Sequence, residues 1–169
     1  MPSVSDLSQL DRTAFTAALG HLFEHSPWVA EQTWAKRPFA SAEALHAALC
    51  ATMRAAPVDR QLALIRAHPD LAGRLARQKQ LTAESTREQA SAGLDQLTDA
   101  ELAEFTRNND AYRAKFGFPF IICARLNAKA AILAAMQARL PNPPVAEHAA
   151  ALAEIEKIAW LRLQDTLQK

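Results

Sequence analysis

Apolar residues return at helical spacing along most of the chain, and the polar residues between them carry start and stop signals. Asp11 or Thr13 starts a predicted helix that runs to about Glu24, with Phe15, Leu19, Leu22 and Phe23 on one stripe. Ser26-Pro27 reads as an N-cap followed by proline at the first helical position, opening a short helix with Trp28, Val29 and Trp34. Pro38 blocks continuation in the connection Lys36-Arg37-Pro38-Phe39. Ser41 caps the next helix, which buries Leu45, Ala48, Leu49 and Met53. Pro57 ends the linker after it, and Val58, Leu62 and Ile65 make a stripe at i, i+4, i+7. Pro69 disfavours α backbone at His68, so that helix stops near Ala67.

Leu71 to Arg77 has room for another turn or two of helix. Thr82 caps a helix carrying Ser85, Glu88 and Gln89, with Gly93 close to its end. Thr98 and Glu101 form a capping box, Leu102, Phe105 and Tyr112 give a stripe, and Gly117 closes that helix. Phe116 to Ile122 is the one stretch rich in aromatic and β-branched residues. It suits a short strand by composition, but Pro119 in its middle and the lack of a partner strand favour an ordered loop. A helix is expected from about Cys123 to Leu140, broken by Pro141, Pro143 and Pro144. The last helix starts near Pro144 and carries Leu152, Ile155, Ile158 or Ala159, and Arg162. With about eight or nine helices on short loops and no internal repeat, the expected fold class is all-α. One compact domain is expected over residues 1–169.

Composition agrees. Hydrophobic residues are 50%, much of that alanine, and only 4 glycines interrupt 169 residues, a balance that favours helix over sheet. The net charge of +1 comes from acids and bases balanced along the chain, without a basic stripe for nucleic acid. The N-terminus lacks the pattern of a signal peptide, no stretch is apolar for long enough to span a bilayer, and the final Leu-Gln-Lys is not a peroxisomal address. Cys50 and Cys123 lie far apart with no pairing pattern and read as free thiols, so the cytoplasm is the expected compartment.

Candidate chemistry centres on His68 to Gln89. His68 is held at a turn by Pro69, and Ser85, Glu88 and Gln89 share one helix face through their i, i+3, i+4 spacing. A His beside a carboxylate, with hydroxyl and amide helpers, is a workable general acid/base set. The plainer account, a His at a turn and a solvated helix face, stays open and is the commoner arrangement. His21-Leu-Phe-Glu24-His25 matches H-x-x-E-H, a zinc-binding pattern, yet Ser26-Pro27 breaks the helix at once and no third ligand stands at a suitable distance. His25 at a helix C-terminus is the stronger account. Arg162 borders an apolar stripe, where it either snorkels or clamps a carboxylate or urea-like group. Arg125 and Asn127 are equally open. No nucleophile elbow, phosphate loop, C-x-x-C pair or dinucleotide fingerprint occurs.

Five segments in order carry a resemblance: F-E-H-S-P-W-V-A at 23–30, R-P-F at 37–39, H-P-D-L-A-G at 68–73, S-T-R-E-Q-A-S-A-G-L at 85–94 and F-G-F-P-F-I-I-C-A-R at 116–125. With the final helix they resemble OHCU decarboxylase, the family acting on 2-oxo-4-hydroxy-4-carboxy-5-ureidoimidazoline (OHCU). The resemblance implies the last step of urate breakdown, decarboxylation to (S)-allantoin, by an all-α homodimer with no metal and no organic cofactor. It implies His68 and Glu88 as catalytic residues. It places Pro69, Ser85, Thr86, Arg87, Gln89, Phe120, Ile121, Ile122, Cys123, Ala124 and Arg162 at the substrate, residues 120–124 largely through their backbone. Glu24, Trp28 and Phe39 are looser candidates for the pocket wall. The substrate carries its own electron sink, a ring C=N bond beside the breaking bond, which explains why no cofactor is implied. Two rival classes stay open: another ureide lyase or hydrolase using the same pocket, and a non-catalytic helical interaction domain.

Overall fold

A computed structural model describes residues 2–73 and 80–168. Among the described residues there are nine α-helices and no strand. They are α1 (Val4–Gln9), α2 (Arg12–Leu19), α3 (Trp28–Thr33), α4 (Ala42–Ala55), α5 (Val58–Ala67), α6 (Ala83–Ser91), α7 (Asp99–Phe116), α8 (Lys129–Arg139) and α9 (Pro144–Gln168). Short 3₁₀ turns lie at Gly20–Leu22, Trp34–Lys36 and Ala124–Leu126. The expected all-α class holds. The chain divides into two compact units, Met1–Ala67 with Ile155–Lys169, and His68–Glu154.

In the first unit α3 packs against both α2 and α4. Leu7, Phe15, Leu19, Leu45, Leu49 and Met53 are fully buried there. Two polar devices close the helix ends. The α1 start is a capping box in which Ser3 Oγ accepts from the Asp6 N–H and Asp6 accepts from the Ser3 N–H. At the other end of α4, Gln61 Nε2 donates to the carbonyls of Arg54 (2.8 Å) and Ala56 (3.1 Å), which the helix itself leaves unpaired. Thr33 and Thr52 join α3 to α4 by a buried hydroxyl bond of 2.8 Å.

In the second unit the capping box at Thr98 and Glu101 starts α7, and Gly117 ends it in the left-handed region at φ +72°, where a side chain is disfavoured. Tyr112, Phe118 and Phe120 pack edge to face behind it. Beneath these rings Glu147 is fully buried. It accepts from Tyr112 Oη, from Arg139 Nη2 (2.8 Å) and from Asn142 Nδ2 (2.8 Å). Burial works against its charge, but Arg139, Tyr112 and Asn142 outweigh burial and hold the carboxyl below its ordinary range.

Several boundaries differ from expectation. α1 was not foreseen, because six residues offer too little periodicity to detect. The second helix stops at Leu19, so His25 does not cap it; His25 sits beyond a 3₁₀ turn at φ +45°. Pro27, not Ser26, is the N-cap of α3. The stripe of α5 is Gln61, Leu64 and Ile65, while Val58 is 63% exposed. The long helix expected from Cys123 begins only at Lys129, after the Ala124–Leu126 turn. The expected turns of helix from Leu71 to Arg77 lie mostly outside the described residues.

Two outcomes follow. Replacing Glu147→Gln leaves Arg139 without its countercharge and should lower the unfolding free energy by about 3 kcal/mol in denaturant titrations. Because the folded carboxyl is held low, its contribution is present above the unfolded value near ~4.3 and is lost as pH falls through the lower folded value. The gap between wild type and variant should therefore close only on the acid side, and a variant with an unchanged midpoint at neutral pH would refute the account. Cys50 and Cys123 are both free and buried, and burial followed by the Glu156 charge pushes the Cys50 thiol up to about 12. A thiol reagent at pH 8 should therefore leave the native protein unlabelled and label both cysteines after unfolding; rapid native labelling would contradict the packing.

Candidate active site

The site grows from the turn that follows α5. Pro69 ends helical backbone at His68, and the chain then bends back so sharply that Ala72 takes φ +52°. Gly73 completes the bend, because a Cβ there would lie 2.7 Å from Asp70 Cβ. His68 is 7% exposed, and Leu71 and Ala72 are buried. Irregular buried backbone needs partners, and side chains supply them. Gln89 Oε1 accepts from the Ala72 N–H at 2.9 Å, and Gln89 Nε2 reaches the Asp70 carbonyl at 3.4 Å. Asn109 Nδ2 donates to the Leu71 carbonyl at 2.9 Å. Arg113 holds the Asp70 carboxylate with Nε at 3.1 Å and Nη2 at 3.0 Å.

Thr82 caps α6 by accepting from the Ser85 N–H. The expected face then forms: Ser85 and Gln89 are buried and Glu88 is half-buried. Thr86 and Arg87 are exposed on the other side. The Thr86 hydroxyl donates back to the Thr82 carbonyl, and Arg87 pairs with Glu84 at 3.6 Å. Neither side chain therefore joins the inward trio. Gln89 was expected on the substrate, yet its amide is engaged by the turn on both ends.

The third component is the loop from Phe118 to Ala124, every residue of which is buried. Its backbone is anchored from two helices. The Cys123 N–H donates to Glu154 Oε2 at 2.8 Å, and the Ile121 carbonyl accepts from Arg139 Nη1 at 2.8 Å. The Arg139 guanidinium also lies over the Phe120 ring at 4.4 Å. The Ala124–Leu126 turn packs against α6. The Cys123 thiol is pushed up by burial and then by the carboxylates of Glu154 and Glu88, so Glu88 acts on this loop through space. Thus Gln89 ties the His68 turn to α6, and α6 meets the end of the loop at the Ala124–Leu126 turn. A histidine, a half-buried carboxylate and a hydroxyl are brought onto one apolar framework, a set suited to moving protons away from bulk water.

Arg162 belongs to the first unit. It does not snorkel: it is 3% exposed, with Nη2 donating to Glu24 Oε2 at 3.0 Å and Nη1 to the His21 carbonyl at 3.1 Å. Glu24 is thus the partner of a buried guanidinium. His21 Nε2 lies 3.1 Å from Thr166 Oγ1, and His21 and His25 do not share one α-helix, so the H-x-x-E-H spacing loses its chelating geometry. Five participants have no counterpart in the sequence reading: Asn109, Arg113, Arg139, Glu147 and Glu154. Asn109 left a signal, an amide at i+4 from Phe105 in an otherwise apolar stripe. The others left none, because their partners lie on different elements.

The model of the family described as OHCU decarboxylase matches residues 8–164. A 2-oxo-4-hydroxy-4-carboxy-5-ureidoimidazoline decarboxylase of Halalkalicoccus jeotgali is 44% identical over 163 residues, 96% of this chain and 90% of that protein. A crystal structure of an (S)-allantoin synthase superposes with a TM-score of 0.78 at 33% identity, covering 99% of this chain; the chain spans 54% of that longer protein. A crystal structure of OHCU decarboxylase in the presence of (S)-allantoin superposes at a TM-score of 0.71 with 27% identity, over 95% of this chain and 100% of that one. With a match that runs through the His68 turn, α6 and the 120–124 loop alike, the chain belongs to the OHCU decarboxylase family.

Proposed function

We propose that this protein decarboxylates OHCU to (S)-allantoin, with residues 1–169 working as one catalytic domain. The observation that carries the proposal is the Gln89 bridge, which sets the His68 turn against the helix bearing Ser85 and Glu88 within a chain matched to the family almost end to end.

The substrate's name defines the chemistry. One ring carbon bears both a hydroxyl and the carboxylate, and its neighbour bears the ureido group and a C=N bond. When the carbon–carboxylate bond breaks, carbon dioxide leaves and the electron pair forms a C=C bond with the neighbour. The C=N pair moves onto nitrogen, which takes a proton. The hydroxyl then loses its proton as C=O forms, and the C=C pair takes a proton at the ureido carbon. That last proton, delivered to one face, sets the S configuration. The substrate's own C=N bond is the sink that accepts the electron pair as carbon dioxide leaves.

Glu88 is assigned to accept the hydroxyl proton, and His68 to act as general acid and base at the reacting centre, where imidazole is suited to neutral pH. The Ser85 hydroxyl and the backbone of Phe120, Ile121, Ile122, Cys123 and Ala124 orient the ring and ureido arm, with Pro69 against the substrate. Arg162, paired with Glu24, is assigned to substrate oxygens, for which a planar fork of donors is well matched. Thr86, Arg87 and Gln89 contribute by shaping α6 and the turn. A homodimer and a cytoplasmic location complete the proposal; light scattering tests the first and fractionation the second. No helix among the described residues is long and apolar enough to cross a membrane.

OHCU can be generated in place from urate with urate oxidase and the following hydrolase, and (S)-allantoin read by circular dichroism. Wild type should give a fast S-allantoin signal. His68→Ala should lose about 10²–10⁴-fold in rate while its far-ultraviolet spectrum stays helical. A racemic product at the uncatalysed rate from wild type would sink the activity; near-normal turnover by His68→Ala would sink the residue assignment. Glu88→Gln keeps the shape but not the base, and should cut kcat by about 100-fold with KM little changed. A rise in KM alone would reassign Glu88 to binding.

A further inference from the structure

The α7 helix carries an amide where its packing calls for a hydrocarbon. Phe105, Asn109 and Tyr112 form its buried stripe, and Asn109 is 5% exposed. Its Oδ1 is buried with no hydrogen-bond partner among the described residues. A leucine would fill that space without burying an unpaired oxygen. What a leucine lacks is the donor, and Asn109 Nδ2 gives its bond to the Leu71 carbonyl, in the turn that begins at His68. One helical turn further on, Arg113 holds Asp70 of the same turn. The i, i+4 spacing sets both side chains on one face of α7, and Gln89 grips the same three-residue backbone from α6.

We propose that Asn109 is a positioning residue for the reaction, acting with Arg113 to hold the His68 turn in its strained form. The inference rests on the proposed decarboxylase reading and adds a residue remote from the reacting atoms. The turn has no regular ladder to stabilise it, Ala72 is at φ +52°, and Gly73 sits against Asp70. Without the Asn109 donor the Leu71 carbonyl is buried and unpaired, and the turn gains by relaxing toward other backbone angles. His68 moves with it, since Pro69 stiffly couples the ring-bearing residue to the bend. A shift of a reacting group by about 1 Å costs about 100-fold in rate even when the cause is distant.

Two replacements at this position separate positioning from mere packing. Asn109→Leu keeps the volume and removes the donor. Asn109→Asp keeps the shape and can donate to Leu71 only when its carboxyl is protonated. The titratable and charged groups around this turn, His68 and Asp70 on it and Arg113 on α7, with Glu88 on the adjoining α6, are unchanged in both variants, so each rate is taken as a ratio to wild type at the same pH. Asn109→Leu should lower kcat by about 10- to 100-fold with KM within about twofold, at every pH. Asn109→Asp should match it at pH 8 and recover toward wild type as pH falls to 6. The second readout needs no substrate: the ring resonances of His68, assigned by their loss in His68→Ala, should move in both variants at pH 8 and return in the Asp variant at pH 6. Wild-type kcat in Asn109→Leu, or a lower melting temperature with unmoved His68 resonances, would overturn the proposal. If both variants fail to fold, Arg113→Gln, at an exposed ion pair, must show the same two effects in smaller degree, and showing neither overturns it. Should wild type not turn over OHCU, the activity is wrong, and the His68 resonances still decide whether Asn109 sets the turn.

Discussion

The Gln89 side-chain amide does the work of a missing strand. The segment after His68 is neither helix nor sheet, yet it is buried, so its N–H and C=O groups have no water to turn to. One amide offers a donor and an acceptor on the same plane, and Gln89 directs one to Asp70 and the other to Ala72. Without that pair the turn would have no reason to lie against α6. The proposed acid/base residues would then sit on unrelated pieces of chain. The surroundings of the turn serve the same constraint: Thr82 sets where α6 begins, Gly73 permits the bend, and Asn109 and Arg113 hold it from α7.

A second network holds the 118–124 loop by the same means. The 118–124 loop is an extended segment with no partner strand, and its anchors are charged side chains. Arg139 serves Ile121 and stacks on Phe120, and is itself neutralised by the buried Glu147. Glu154 takes the Cys123 N–H. Charge-assisted bonds of this kind are shorter and stronger than neutral ones, which suits a buried loop that has no ladder of its own. In the proposed reaction the substrate stores its own electrons, and the protein's task is to decide where protons leave and arrive.

The two arginines illustrate how burial changes meaning. Arg162 was ambiguous between a snorkelling side chain and a clamp, and its near-complete burial beside Glu24 removes the first option. A guanidinium taken out of water requires a countercharge, and one planar fork can serve Glu24, the His21 carbonyl and further partners at once. Arg87 is the reverse case. It stands in the middle of the S-T-R-E-Q run, but helix geometry sends it to the surface, where it pairs with Glu84 across an exposed gap.

Local signals were enough for much of the fold. Ser41, Thr82 and the Thr98–Glu101 box mark helix starts, Gly117 and Pro69 mark stops, and the order Ser85, Glu88, Gln89 decides that these three share a face. Each depends on neighbours within four residues, the range over which backbone sterics and capping act. The five ordered motifs likewise mark the family from sequence alone. Tertiary structure alone decided the rest. It moved the α5 stripe to Gln61, Leu64 and Ile65, delayed the helix after Cys123 to Lys129, and revealed Asn109, Arg139, Glu147 and Glu154 as supports. It also gave the Gln89 amide two partners in the protein's own backbone, Asp70 and Ala72. The reason is common to all of these. A buried polar group pairs with whichever donor or acceptor the fold brings to it, and here that partner lies eight, seventeen or thirty-eight residues away, beyond the reach of any local pattern.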